Sequence, residues 1–183
     1  MTIITKITTT ITNRGLTIIF IVICVLLSLI QNREVYAEMK KVTGTSKPIE
    51  RLLAVERYYS GTNVRFVNHL LMYNSVDPNW DKAKVFSAFY YINPTGQGDE
   101  FRGCLAITHH NGDQTFIEYN GSWKWVSPRD GLRWNSEITG VFTGGTGKFK
   151  GVKGILNSNV KGDGQNTIGG EWEVEYELAS TNN

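Results

Sequence analysis

Residues 142–154 read FTGGTGKFKGVKG, with five glycines and three lysines in thirteen positions. A stretch of this kind either cradles a phosphate or bends the backbone, and spacing separates the two. A P-loop needs Gly-Lys-Ser/Thr with another glycine five residues before the second one. Here Phe149 follows Gly147-Lys148, and Phe142 stands at the earlier position. A dinucleotide loop needs a third glycine where this chain has Lys150. Both fingerprints fail, which leaves a conformational role. Gly144, Gly145 and Gly147 can take backbone angles closed to other residues and so turn the chain sharply. Residues 148–152 then suffice for one helical turn that aims Phe149 and Val152 inward and leaves the lysines in water, before Gly154 restarts a strand.

Outward from this segment the chain reads as strands. Period-two alternation and turn punctuation recur from about residue 60 onward, the pattern of an all-β sandwich or barrel. The clearest strand is 171–178, EWEVEYEL: Trp172, Val174, Tyr176 and Leu178 fall on one face, and four glutamates on the other. Carboxylates on alternate strand positions stand roughly 7 Å apart, too far to close on one ion, so they read as a solvated face. Lys148, Lys150, Lys153 and Lys161 are the expected partners across the strands. No metal or other cofactor is expected.

Residues 101–119 hold Asn111-Gly112 between two β-compatible runs, which predicts a hairpin with a two-residue turn and positive φ at both centres. Phe101, Leu105, Ile107 and His109 share a face on the first arm, and Ile117, Tyr119, Trp123 and Trp125 on the return arm. The adjacent His109 and His110 point to opposite faces and cannot chelate one metal together. Further strands are predicted over 64–73, 84–92, 132–142 and 154–161, and residues 48–59 read as a first strand. The runs 64–73 and 84–92 are apolar on both faces, so a cover is expected outside as well as inside.

The N-terminus differs in composition. Residues 16–30, LTIIFIVICVLLSLI, are uncharged, with Lys6 and Arg14 before them and Val35-Tyr36-Ala37 after. That order predicts a secretory signal peptide, residues 1–37, cut after Ala37. The alternative is an uncleaved anchor, because residues 15–32 carry no charge and approach the roughly 20 residues of a spanning helix. Either way the barrel domain, residues 38–183, is expected outside the membrane, periplasmic or extracellular. The leader holds three of the 19 basic and one of the 17 acidic residues, which leaves 16 of each. A neutral domain of this kind excludes most nucleic-acid binders. Cys104 is the one cysteine after the leader, so no internal disulfide can form, and it reads as a small buried hydrophobe.

The order strand, GGTGKF, short turn, VKG, strand resembles the GGTG-x-F-x-x-x-x-G segment of the allene oxide cyclase and dirigent-like β-barrels, which include small secreted bacterial members. The likeness is sharp over residues 141–156 and continues as strand rhythm over 52–178. It implies a single antiparallel eight-stranded, calycin-like barrel around an apolar cavity, and a homotrimer formed through one outer face. It also implies that Gly144, Gly145, Gly147, Phe149, Gly151 and Gly154 build the barrel. No catalytic residue of that family aligns onto this chain.

Three functions remain open. A binding barrel would hold a small apolar ligand, with Asn68, His109, Tyr119, Trp134 and Ser136 as inward polar candidates by strand parity. A cyclase or isomerase acting on a hydrophobic, fatty-acid-derived substrate would use His109 and Tyr119 first, since histidine titrates near neutrality. An oligomeric barrel module needs no ligand. No serine-hydrolase elbow or metalloprotease motif occurs in the sequence.

Overall fold

The computed structural model describes residues 38–59, 61–96, 98–127, 133–164 and 166–179. The expected leader, residues 1–37, and Leu132 lie outside them. Eight strands close into one antiparallel barrel: β1 (Lys40–Tyr59), β2 (Thr62–Ser75), β3 (Lys84–Ile92), β4 (Glu100–Thr108), β5 (Gln114–Ser127), β6 (Arg133–Gly145), β7 (Lys153–Asp163) and β8 (Asn166–Glu177). Each strand pairs with the next, and β8 returns to β1. Closure leaves no unpaired sheet edge. β1 begins at Lys40, ahead of the predicted Pro48. Its register shifts between Pro48 and Glu50 and again between Arg51 and Leu53. Proline has no N–H to give the ladder, which accounts for the first irregularity.

The alternation in β8 is obeyed: Trp172, Val174 and Tyr176 are buried, and Leu178 packs on the same core. Of the expected lysines, Lys153 on β7 stands directly opposite Glu177, and the ion pairs of Glu173 and Glu175 are made with Lys41 on β1. Its Nζ lies 2.8 Å from Glu173 and 3.2 Å from Glu175, because β1 and β8 are neighbours and Lys41 stands directly opposite Glu175. The glutamates raise the Lys41 pKa, yet these groups are too exposed for the pairs to add much stability.

The β4–β5 hairpin corrects the turn prediction. His109 N–H donates to Asp113 O at 2.9 Å, so three residues, His110 to Gly112, make the loop, and Gly112 takes positive φ. The reason is parity. Residues directly opposite in an antiparallel pair point the same way, and here odd faces odd, Ile107 to Thr115 and Leu105 to Ile117. A two-residue loop would have set the apolar face of one arm against the polar face of the other. The same parity turns Cys104 outward, where it is exposed rather than buried as expected.

One end of the barrel is plugged. The β2–β3 connection folds inward on Asp77, whose carbonyl accepts from Trp80 and Asp81 N–H at 3.0 and 2.9 Å, and inserts Trp80 fully buried. Around Trp80 stand His109, Trp172 and Tyr176, with ring centroids 4.8, 5.6 and 5.7 Å away, and Phe142 and Phe149 at about the same level.

The glycine segment closes the same end. Gly144 and Gly145 are the last residues of β6, so the sharp turning falls to Gly147, at φ 53°, and Gly151, at φ 74°. A 3-10 turn at Gly147–Phe149 buries Phe149 and leads Val152 inward, while Lys148, Lys150 and Lys153 remain exposed. Gly154 restarts β7 at φ 150°, where an added Cβ would stand 2.1 Å from Glu175 O.

Candidate functional site

With one end plugged by aromatic rings, the described residues toward the other end of the barrel line a cavity of about 400 Å³. That lies within the range of small-molecule sites. Inward positions of the strands build it. Val67, Leu71, Ile138 and Val160 give aliphatic wall, and Phe89, Tyr91, Phe101 and Trp123 give aromatic wall. Alternation dictates these assignments, since every second residue of a barrel strand faces inward.

Two tryptophans frame the mouth and fasten its loops. Trp125 Nε1 donates to Gly96 O, and Trp134 Nε1 to Gly164 O, each at 3.0 Å. The β3–β4 loop is further tied by Asp99, whose carboxylate accepts from Thr95 N–H at 2.7 Å, Thr95 Oγ1 at 2.7 Å and Gly96 N–H at 3.0 Å. Partial burial opposes the charge of Asp99. The bonds from Thr95 and Gly96, with the Arg65 charge nearby, outweigh it and hold the carboxyl below its usual range.

Polar groups also line the interior. Ser87 Oγ and Tyr119 OH share a hydrogen bond of 2.8 Å. His69 is the direct cross-strand partner of Ser87, so the three form one polar patch on β2, β3 and β5. Burial pushes the Tyr119 phenol well above its ordinary value, and the bond to Ser87 only partly offsets this, so it stays protonated at neutral pH. Ser136, on β6, is buried, and its hydroxyl has no hydrogen-bond partner among the described residues.

Of the five inward candidates read from the sequence, Tyr119, Trp134 and Ser136 line the cavity. Asn68 does not. It lies on the outer face with Phe66 and Ala88, because β2 turns its odd residues inward. His109 faces inward but is locked in the plug. Its Nδ1–H donates to Asn79 O at 2.8 Å, its Nε2 accepts from Thr115 Oγ1 at 3.1 Å, and its ring stacks on Phe149 at 4.1 Å. Burial drives its pKa down, and the nearby Lys148 charge adds to this against the Asn79 bond. A buried imidazole with both nitrogens satisfied, outside the lining of this cavity, is a structural group. Sequence reading missed Arg65, His69 and Ser87. β2 is apolar on both faces, so nothing within it announced that the face carrying Arg65 and His69 is the inner one.

No family model matches the chain, and no curated protein matches it. The functional reading therefore rests on the cavity.

Proposed function

We propose that the chain is an exported barrel that holds a small, mostly apolar ligand in its interior. The observation that carries this is the cavity that the described residues line: about 400 Å³, walled by aliphatic and aromatic side chains, between the Trp80 plug and the tryptophans Trp125 and Trp134. An eight-stranded barrel can be filled by its own side chains, and this one is filled only in its plugged half. Export rests on the apolar run at residues 16–30. The test is saturable uptake of fluorene, a neutral three-ring hydrocarbon, followed by equilibrium dialysis, together with native mass spectrometry of protein from its own host. The absence of both uptake and a co-purifying mass would overturn the reading.

An oligomeric role is compatible with this one and has its own support. Phe66, Phe86, Ile92, Val141 and Ile155 are exposed large apolar side chains on the outer surface, and Phe66 and Val141 line one groove there. The resemblance noted above makes a homotrimer the expected assembly, and light scattering reads it directly.

A second reading is an isomerase or cyclase for a fatty-acid-derived substrate, favoured by the His69, Ser87 and Tyr119 patch inside the cavity. Since His109 sits in the plug, acid–base work would fall to His69. Conversion of an unsaturated fatty-acid epoxide that His69→Ala abolishes would support it, and binding without conversion would count against it.

A further inference from the structure

Ser136 Oγ is buried in the cavity wall and makes no hydrogen bond among the described residues. A buried hydroxyl without a partner costs about 1–3 kcal/mol, and native proteins keep few of them without a reason. Its direct neighbours on the adjoining strands are Trp123 of β5 and Val160 of β7, which set an indole and an aliphatic side chain beside it. Among the other polar groups of the cavity, Ser87 is bonded to Tyr119, Trp125 to Gly96 and Trp134 to Gly164.

The second buried polar atom without a partner among the described residues, Trp172 Nε1, belongs to the plug, where its ring lies against Tyr73 and Trp80. The Ser136 hydroxyl carries a proton that needs an acceptor, and an oxygen on a molecule entering the cavity would supply one. A charged oxygen is disfavoured, because the wall beside Ser136 is apolar and burying an unpaired charge is far costlier than burying a neutral dipole. Arg65, a cation that also lines the cavity, stands on β2, the wall opposite β6 in the closed eight-stranded order.

We propose that the cavity selects a neutral apolar molecule carrying one accepting oxygen, a ketone, aldehyde or ether, and seats that oxygen against Ser136 Oγ. This rests on the cavity being a ligand site and adds the chemical class of the ligand. The hydrocarbon surface meets the aromatic and aliphatic wall, and the single oxygen fixes orientation by satisfying a hydroxyl that the fold leaves open.

The experiment compares fluorenone with fluorene, the same three-ring skeleton with a carbonyl in place of a methylene, by equilibrium dialysis against the purified protein. Fluorenone should bind about five- to tenfold more tightly, the worth of one net hydrogen bond. Ser136→Ala should erase that preference by weakening fluorenone while leaving fluorene unchanged. The carbonyl stretch of bound fluorenone should lie at lower frequency in the wild-type protein than in Ser136→Ala, a readout that a general packing defect would not reproduce. Equal affinities for the two probes in the wild type, or a preference that survives Ser136→Ala, would overturn the assignment while leaving the binding barrel intact. If neither probe binds, the binding barrel itself fails and this assignment with it.

Discussion

The carboxylate of Asp113 accepts the backbone N–H of Lys148 at 3.2 Å and occupies the space in which a side chain on Gly147 would begin. A run of backbone donors after a glycine turn is the usual anion nest. Here the protein's own anion fills it. Asn111 donates to the same carboxylate at 2.7 Å, and together with the Lys148 N–H it holds Asp113 below the usual carboxylate range. The hairpin tip and the glycine segment are further joined by Thr146 N–H to Gln114 O and Gln114 N–H to Thr146 Oγ1, both at 2.8 Å. The glycines thus shape a clasp between β4–β5 and β6–β7.

Gly147→Ala should therefore destabilise the barrel by at least about 1 kcal/mol, since φ is positive there and a Cβ would strike Asp113. Urea unfolding monitored by tryptophan emission measures it. ATP or phosphate at millimolar concentration should not shift the midpoint. A wild-type midpoint for Gly147→Ala, or a phosphate-dependent rise, would return the segment to the anion-binding class.

Much of the barrel was legible because each strand has to keep one face apolar. The eight runs, the inward set of β8 and the burial of Phe149 and Val152 follow from alternation and glycine placement. The three-residue hairpin loop was legible too. Ile107 and Ile117, both odd and both apolar, demand an odd loop, and the attraction of Asn-Gly as a two-residue turn obscured it. The same parity already turned Cys104 outward. What alternation cannot supply is a choice between two apolar faces, which is why Asn68 was read as inward in place of His69. Nor does it announce Trp80, which lies in a connection between strands and reaches the core only because the Asp77 turn carries it there.

Trp80 is the centre of the plug, so Trp80→Ala should cost about 3–5 kcal/mol, the range for removing a large buried aromatic. Trp80→Phe keeps the apolar contacts and should cost less. Because the plug and the cavity occupy opposite ends, fluorene affinity of the Phe variant should stay within about twofold, as expected for separated sites. Loss of binding in a well-folded Trp80→Phe protein would show that the plug shapes the ligand site.

His109 makes stability depend on pH in a defined direction. Burial holds its folded pKa below the ordinary 6.5, so the neutral form is favoured in the native state. The unfolded chain then binds more protons as pH falls through about 6.5. Stability should be level above that value, decline as pH falls through 6.5 toward the folded pKa, and flatten below it. Asp77, Asp113 and Lys148 are the charged groups that act on the ring. The depressed carboxyls of Asp99 and Asp113 lose their contributions only in a lower window, below about pH 4. Urea midpoints between pH 7.5 and 5 should therefore slope downward in the wild type and much less in His109→Gln. A slope that is unchanged in the variant would place the titrating group elsewhere.

The cavity makes a prediction that separates a binding site from an incidental void. Val160 faces inward opposite Ser136, so Val160→Trp would place an indole where a ligand is expected. In a packed core the added bulk would be destabilising by roughly 1–3 kcal/mol, because neighbouring side chains would have to leave their rotamers. Here the space exists, and the new ring would gain contacts with aromatic walls that are now bare. The variant should unfold at a urea midpoint equal to or above that of the wild type while losing uptake of fluorene and fluorenone together. Retained uptake would put the ligand outside the barrel, on the groove lined by Phe66, Tyr90 and Val141, and Tyr90→Ala would then be the variant to lose it. A lowered midpoint would show that the interior is already full in solution.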